Sequence, residues 1–180
     1  MTNYLVVTAM GTDRPGLVAR LAKLASDCDC DIVDSRMAGF GNEFTMIMMM
    51  SGSWPAITQL ESQLPQLSVE LELLTVMKRT SKHTPQNYAS RLEVTLQGQD
   101  QRGTMRKITT FLAERSLDLG AVRSFSTDDD ANTQHLFLAI NIPENVNLED
   151  LEQSIAAEAQ SLNLSCSIKR MQGVQVPDIS

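Results

Sequence analysis

The sequence predicts an α+β chain of two tandem βαββαβ modules, each a four-stranded antiparallel sheet with two helices on one face. Two observations carry this. The chain matches itself at a single offset of 87 residues, and inside each copy the apolar period alternates between that of a strand and that of a helix. At that offset Gly11, Asp13 and Gly16 meet Gly98, Asp100 and Gly103, while Asp31 and Arg36 meet Asp118 and Arg123.

The elements follow in order. Tyr4–Thr8 is an apolar run that reads as a buried strand, and Leu92–Leu96 is its copy. Each leads through a glycine-bearing turn into a helix. Leu17, Val18, Leu21, Leu24 and Ala25 fall on one face of the first helix, and Met105, Ile108 and Leu112 on one face of its copy. Strands are expected at 31–38 and 118–126, then reversals at 39–42 and 127–132, where glycine in one copy and acidic residues in the other suit a turn. Returning strands are expected at 44–50 and 136–142. The second helices start at Ser53 and Asn147, both favoured N-cap types. The last strands are expected at 69–77 and 164–171.

Helical crossovers between strands of one sheet are right-handed, which puts both helices of a module on the same face. That is a ferredoxin-like arrangement. The boundaries expected are a first module over 1–80, a linker over 81–90 that is polar and carries Pro85, a second module over 91–172, and a tail over 173–180. The strand Met46-Ile47-Met48-Met49-Met50 is apolar at both parities, so both sheet faces are expected to be covered, by the other module or by a second chain in a homo-oligomer. Core filling is the favoured role of these methionines.

Composition narrows the function. The formal net charge is −7, so a DNA-binding face is not expected; Lys78-Arg79 and Lys169-Arg170 are isolated pairs at the ends of strands. No apolar run approaches the roughly 20 residues of a membrane helix. The N-terminus has no basic stretch before an apolar one, so the expected location is cytoplasmic. Cys28, Cys30 and Cys166 are an odd set, and His83 and His135 stand in no ligand register with them; neither a metal nor a cofactor is expected. No nucleophile elbow, phosphate loop or paired metal-ligand histidines are present, so no catalytic residues and no enzyme activity are expected.

The chemistry gathers at Gly11-Thr12-Asp13-Arg14-Pro15-Gly16-Leu17-Val18. A helix N-terminus offers free N–H groups and partial positive charge to a carboxylate. Pro15 restricts φ where the helix starts, Gly16 allows close approach to the backbone, and Asp13 suits an ammonium group. Together these fit a zwitterionic amino acid. Equally, Asp13 fits a helix cap and Gly16 a turn glycine, and the residues alone leave both readings open.

Asp13-Arg14-Pro15-Gly16, between an apolar strand and an amphipathic helix, resembles the signature of the ACT domain, an amino-acid-binding regulatory module. Further matches lie at Tyr4–Ala9, Asp34-Ser35-Arg36, Glu43-Phe44-Thr45, Ser51-Gly52-Ser53-Trp54 and Val76–Thr80, and are similar to those of tandem-module ACT repressors. The resemblance implies a small amino acid as ligand, with glycine favoured. It implies repression exerted through a LysR-type transcriptional activator of glycine cleavage genes. Carried over, the ligand-binding residues are Asp13, Arg14, Pro15, Gly16, Leu17, Val18, Ser35 and Arg36, because ligands of this family usually lie between the turn of one module and the second strand of another. Asp100, Gly103 and Thr104 are a weaker second site, since Arg102 stands where the first copy has Pro15. Exposed Arg102, Arg106 and Lys107 are candidate partner contacts.

Overall fold

A computed structural model describes residues 1–82, 88, 90–99, 101–127 and 129–172. The chain divides into two compact units. In the first, β1 (Asn3–Thr12), α1 (Leu17–Asp27), β2 (Asp31–Phe40), β3 (Glu43–Gly52), α2 (Trp54–Glu70) and β4 (Leu74–Thr80) form a sheet of order β2-β3-β1-β4. In the second, β5 (Ser90–Gln99), α3 (Thr104–Glu114), β6 (Asp118–Thr127), β7 (Asp130–Ile142), α4 (Leu148–Ser161) and β8 (Ser165–Gln172) repeat it as β6-β7-β5-β8. All pairings are antiparallel. The α+β tandem arrangement is as the sequence predicts. Of the expected linker, 83–87 and 89 lie outside the described residues, as does the tail over 173–180.

Each module has its own core on the helix-covered face. In the first, Leu5, Val7, Met46, Met48 and Met50 from the sheet meet Leu21, Ile57, Leu60 and Leu64 from the helices. In the second, Leu92, Val94, Leu138 and Ile140 meet Ile108, Leu112 and Ile155. Ser53 and Asn147 cap α2 and α4, accepting from the N–H groups of Ala56 and Asp150.

All four helices end alike. A non-glycine residue takes positive φ (Asp29, Glu72, Ser116, Asn163), and the residue after it is a buried Cys30, Leu73, Leu117 or Leu164. The N–H of that buried residue reaches back to the carbonyl five positions earlier, at 2.8–3.1 Å, satisfying an orphan acceptor. Burying the apolar residue that follows the turn offsets the left-handed strain of the turn residue.

β1 and β5 run longer than the expected 4–8 and 92–96, and the starts of β4 and β7 are displaced. β4 starts at Leu74, five residues late, because α2 continues through Pro65 to Glu70. Leu64, Leu67 and Ser68 are buried on its inner face, and that packing outweighs the N–H which Pro65 lacks. Val69, read as a strand start, is a helix residue pointing to solvent. β7 starts at Asp130, earlier than expected, since Thr133, Gln134 and His135 pair across to β5 although their polarity gives no alternation.

The bare sheet faces of the two modules are unlike. The first carries Val6, Met10, Ile47, Met49, Leu74 and Val76; the second carries Glu93, Thr95, Gln97, Lys169 and Arg123 together with Phe125, Phe137 and Ala139. On β4 of the first module Leu74 and Val76 are 65% and 62% exposed. The run that is apolar at both parities divides in the structure: Met46, Met48 and Met50 fill the core as expected, while Ile47 faces away.

Candidate ligand site at the strand-to-helix turn

β1 delivers the chain to the turn at 13–16, and three contacts place it. The N–H of Asp13 donates to the carbonyl of Asn42 at 3.3 Å, tying the turn to the β2–β3 reversal. The Arg14 guanidinium donates to the carbonyl of Leu71, tying it to the α2–β4 connection. Gly11 lets that connection lie against β1: a Cβ there would stand 2.7 Å from Leu73 Cδ2 and 3.0 Å from the carbonyl oxygen of Glu72. Gly98 makes the same close approach to Leu164 and Asn163 in the second module, which explains why this pair belongs to the repeat.

Residues 12–16 are exposed, so the turn is open to solvent. Gly16 is the N-cap of α1, at φ +88°, and no side chain caps the helix. The helix cap considered for Asp13 is therefore not formed, and the first-turn N–H groups of α1 have no side-chain acceptor. Nothing lies within 4 Å of the position a Gly16 Cβ would take; the glycine is required by its torsion angle, and the space over the backbone is free. Pro15 sits in the turn ahead of the N-cap, two residues before the first helical residue, Leu17, and not at the helix start assigned to it.

Leu17 is 3% exposed, a core residue that offers only its backbone, whereas Val18 is 39% exposed at the mouth. Arg14 is held by Leu71, so its guanidinium braces the turn. Ser35 and Arg36 are elsewhere in their own module. Ser35 is opposite Met48, which is opposite Val7, five residues short of Thr12. At about 3.3 Å per residue that is roughly 16 Å along the sheet, and two strands across. Arg36 pairs with Asp34 at 3.6 Å on this edge strand. Neither side chain joins the turn of its own module.

In the second module Gly103 repeats the N-cap at φ +93°, again with no side-chain cap. Thr104 is buried, and both its N–H and its hydroxyl donate to the carbonyl of Gln101, at 3.3 and 3.0 Å. It stiffens the turn and is not presented to a ligand, because it takes the core position that Leu17 holds in the first copy. Asp100 lies outside the described residues.

Other residues singled out in the sequence have structural placements. Arg79 bonds Glu61, and Arg170 bonds Glu152 at 2.6 and 2.9 Å, so each basic strand end is pinned to a helix of its own module. This duplicated pair was missed in the sequence, although Glu61 and Glu152 share one offset of 91 with Arg79 and Arg170. Cys28 and Cys30 are buried; burial and then Asp27 and Asp29 push the Cys28 thiol up, and burial, then Cys28, Asp29 and Asp31, push the Cys30 thiol up. His135 stacks on Phe125 with ring centroids 5.1 Å apart, and His83 lies outside the described residues. Among the described residues no helix is long and apolar enough to cross a membrane.

Two such modules, each with a glycine N-cap at an open strand-to-helix turn, define an ACT-domain protein, and the ACT domain model matches residues 3–78. The chain is 35% identical over 169 residues to the glycine cleavage system transcriptional repressor of Escherichia coli (strain K12), covering 92% of this chain and 89% of that protein. The repressor of Shigella flexneri matches to the same extent. A crystal structure of a proposed glycine cleavage system transcriptional repressor superposes with a TM-score of 0.79 at 35% identity, over 96% of this chain and 99% of that one. An unknown protein from Galdieria sulphuraria shares the fold, at a TM-score of 0.68 and 19% identity over 95% and 99% of the two chains. The chain belongs to the glycine cleavage system transcriptional repressor family.

Proposed function

We propose that this chain is a cytoplasmic, non-enzymatic sensor that binds glycine at the 13–16 turn and restrains a LysR-type activator of glycine cleavage genes, glycine relieving the restraint. The observation that carries the reading is the exposed turn, in which Asp13 lies three residues before the N-cap Gly16 and no side chain caps α1. A glycine carboxylate accepts from the first-turn N–H groups and its ammonium meets Asp13; both ends of the zwitterion are then paired. The net charge of −7 supports action through a protein instead of through DNA. Ser35 and Arg36, on a strand remote from the turn of their own module, are proposed to serve the turn of another module or chain. By the same reading the second turn binds more weakly, since its Thr104 is consumed by Gln101.

Thermal unfolding with glycine tests this. Ligand at a hundred times its dissociation constant adds about 2.7 kcal/mol of stability. Asp13→Ala, at an exposed position, removes that shift and itself changes stability by about 0.5 kcal/mol or less. A full shift in the variant removes the turn from the site. No shift and no titration heat with glycine or serine in the wild type leaves an adaptor that binds its partner without an amino acid.

A further inference from the structure

A second concave surface lies away from the 13–16 turn. It is an open groove of about 790 Å³ along α3 in the second module. Arg102, Arg106 and Lys107 line one end, Phe111 with Arg115 stacked on its ring at 3.6 Å lies further along, and Glu114 and Glu158 line it as well.

Arg102, Arg106 and Lys107 fall within six residues at one end of α3, and like Lys78, Lys82, Arg91, Arg123 and Lys169 they stand in no carboxylate ion pair among the described residues. Arg20, Lys23, Arg36, Arg79 and Arg170 each have a carboxylate partner, whereas among the described residues no carboxylate lies within 4 Å of Arg102, Arg106, Lys107 or Arg115. The first turn of α3 has no acidic residue, and Arg106 and Lys107 add positive charge at the positive end of the helix dipole, an unfavourable placement. The fold does not require them. At the offset of 87 their counterparts are Pro15 for Arg102, Ala19 for Arg106, and Arg20, already paired with Glu70, for Lys107.

We propose that this groove is a docking surface for an acidic, mixed-charge segment of a protein partner, with an apolar side chain against Phe111. From Arg102 to Arg115 the chain runs about 20 Å at helical rise, too far for one small anion to reach every cation. A nucleic-acid backbone would bring phosphates against Glu114 and Glu158 and against a chain of net charge −7. A protein segment can place carboxylates at Arg102, Arg106 and Lys107 and a basic group at the two glutamates.

The inference rests on the partner reading above, and the probe is accordingly the purified LysR-type activator, measured by biolayer interferometry against the full chain. R106E/K107E is expected to weaken binding about tenfold or more, mostly in association rate and mostly at low salt. K78E/K82E makes the same charge change on exposed residues of the first module and is expected to alter binding by less than about twofold. R106Q/K107Q replaces the reversal where the reversal lowers the melting temperature. Unchanged binding by the α3 variants, or equal weakening by K78E/K82E, overturns the groove and leaves the partner reading standing. No binding by the wild type overturns both. Wild-type retention of a 20-base-pair duplex that R106E/K107E releases overturns the protein occupant in favour of nucleic acid.

Discussion

Replacing Gly16 separates torsional strain from crowding, because the turn has one and not the other. At φ +88° an L-residue costs about 1–2 kcal/mol. The space where its Cβ would stand is empty to 4 Å, so no packing penalty is added. Alanine also restricts the unfolded chain, which returns about 0.4–1 kcal/mol. The net expectation for Gly16→Ala is a loss of about 0.5–1.5 kcal/mol, or about 2–12 °C in the melting transition of the first module. Asparagine tolerates the left-handed region, so Gly16→Asn should fall between glycine and alanine. Gly103→Ala, at φ +93° and likewise in open space, repeats the experiment in the second module. Calorimetry together with urea denaturation reads all three. Alanine as stable as glycine, or asparagine less stable than alanine, would refute the left-handed cap and with it the geometry that leaves the helix end bare.

Met48, fully buried, and Ile47, 45% exposed on the opposite face, are adjacent in β3. Met48→Ala should cost about 2–5 kcal/mol and Ile47→Ala under about 1 kcal/mol by urea melts; equal losses would contradict the assignment of faces. Ser116 holds φ +54° at the end of α3, so Ser116→Gly should stabilise by about 0.5–1 kcal/mol; a loss would show that the left-handed turn there is unstrained. Two hydrogen bonds from Arg170, and then its charge, hold the Glu152 carboxyl below its ordinary value, while partial burial opposes them. A lowered carboxyl pKa contributes stability that is present above the unfolded-state value and lost as pH falls through the folded one. Arg170→Ala should therefore raise the Glu152 pKa in a carboxyl NMR titration and flatten the acid limb of the second module's stability; an unmoved pKa excludes the pair as its cause.

Much of the architecture was legible in the residues, for local reasons. Period changes, N-cap types and glycines recurring at one offset depend on neighbours in sequence, so Ser53, Asn147, Gly16 and Gly103 carry their roles on the page. The site was legible only as a segment. That Asp13 is exposed and caps nothing, that Arg14 is engaged by Leu71, and that Ser35 stands two strands from the turn depend on which elements meet. The same holds for α2, which crosses Pro65 because its inner face is buried, a gain no local propensity reports.

By itself the sequence determined the duplication, the order of elements in each copy and the turn where chemistry gathers; each is written in spacing, and spacing survives without coordinates. Tertiary structure alone decided which cations are spent on internal pairs and which are left over. Arg79 finds Glu61 and Arg170 finds Glu152 across 18 residues, while among the described residues no carboxylate lies within 4 Å of Arg102, Arg106 or Lys107. Electrostatic partners are set by distance in space, and folding brings groups within 4 Å that no periodicity in the chain places side by side.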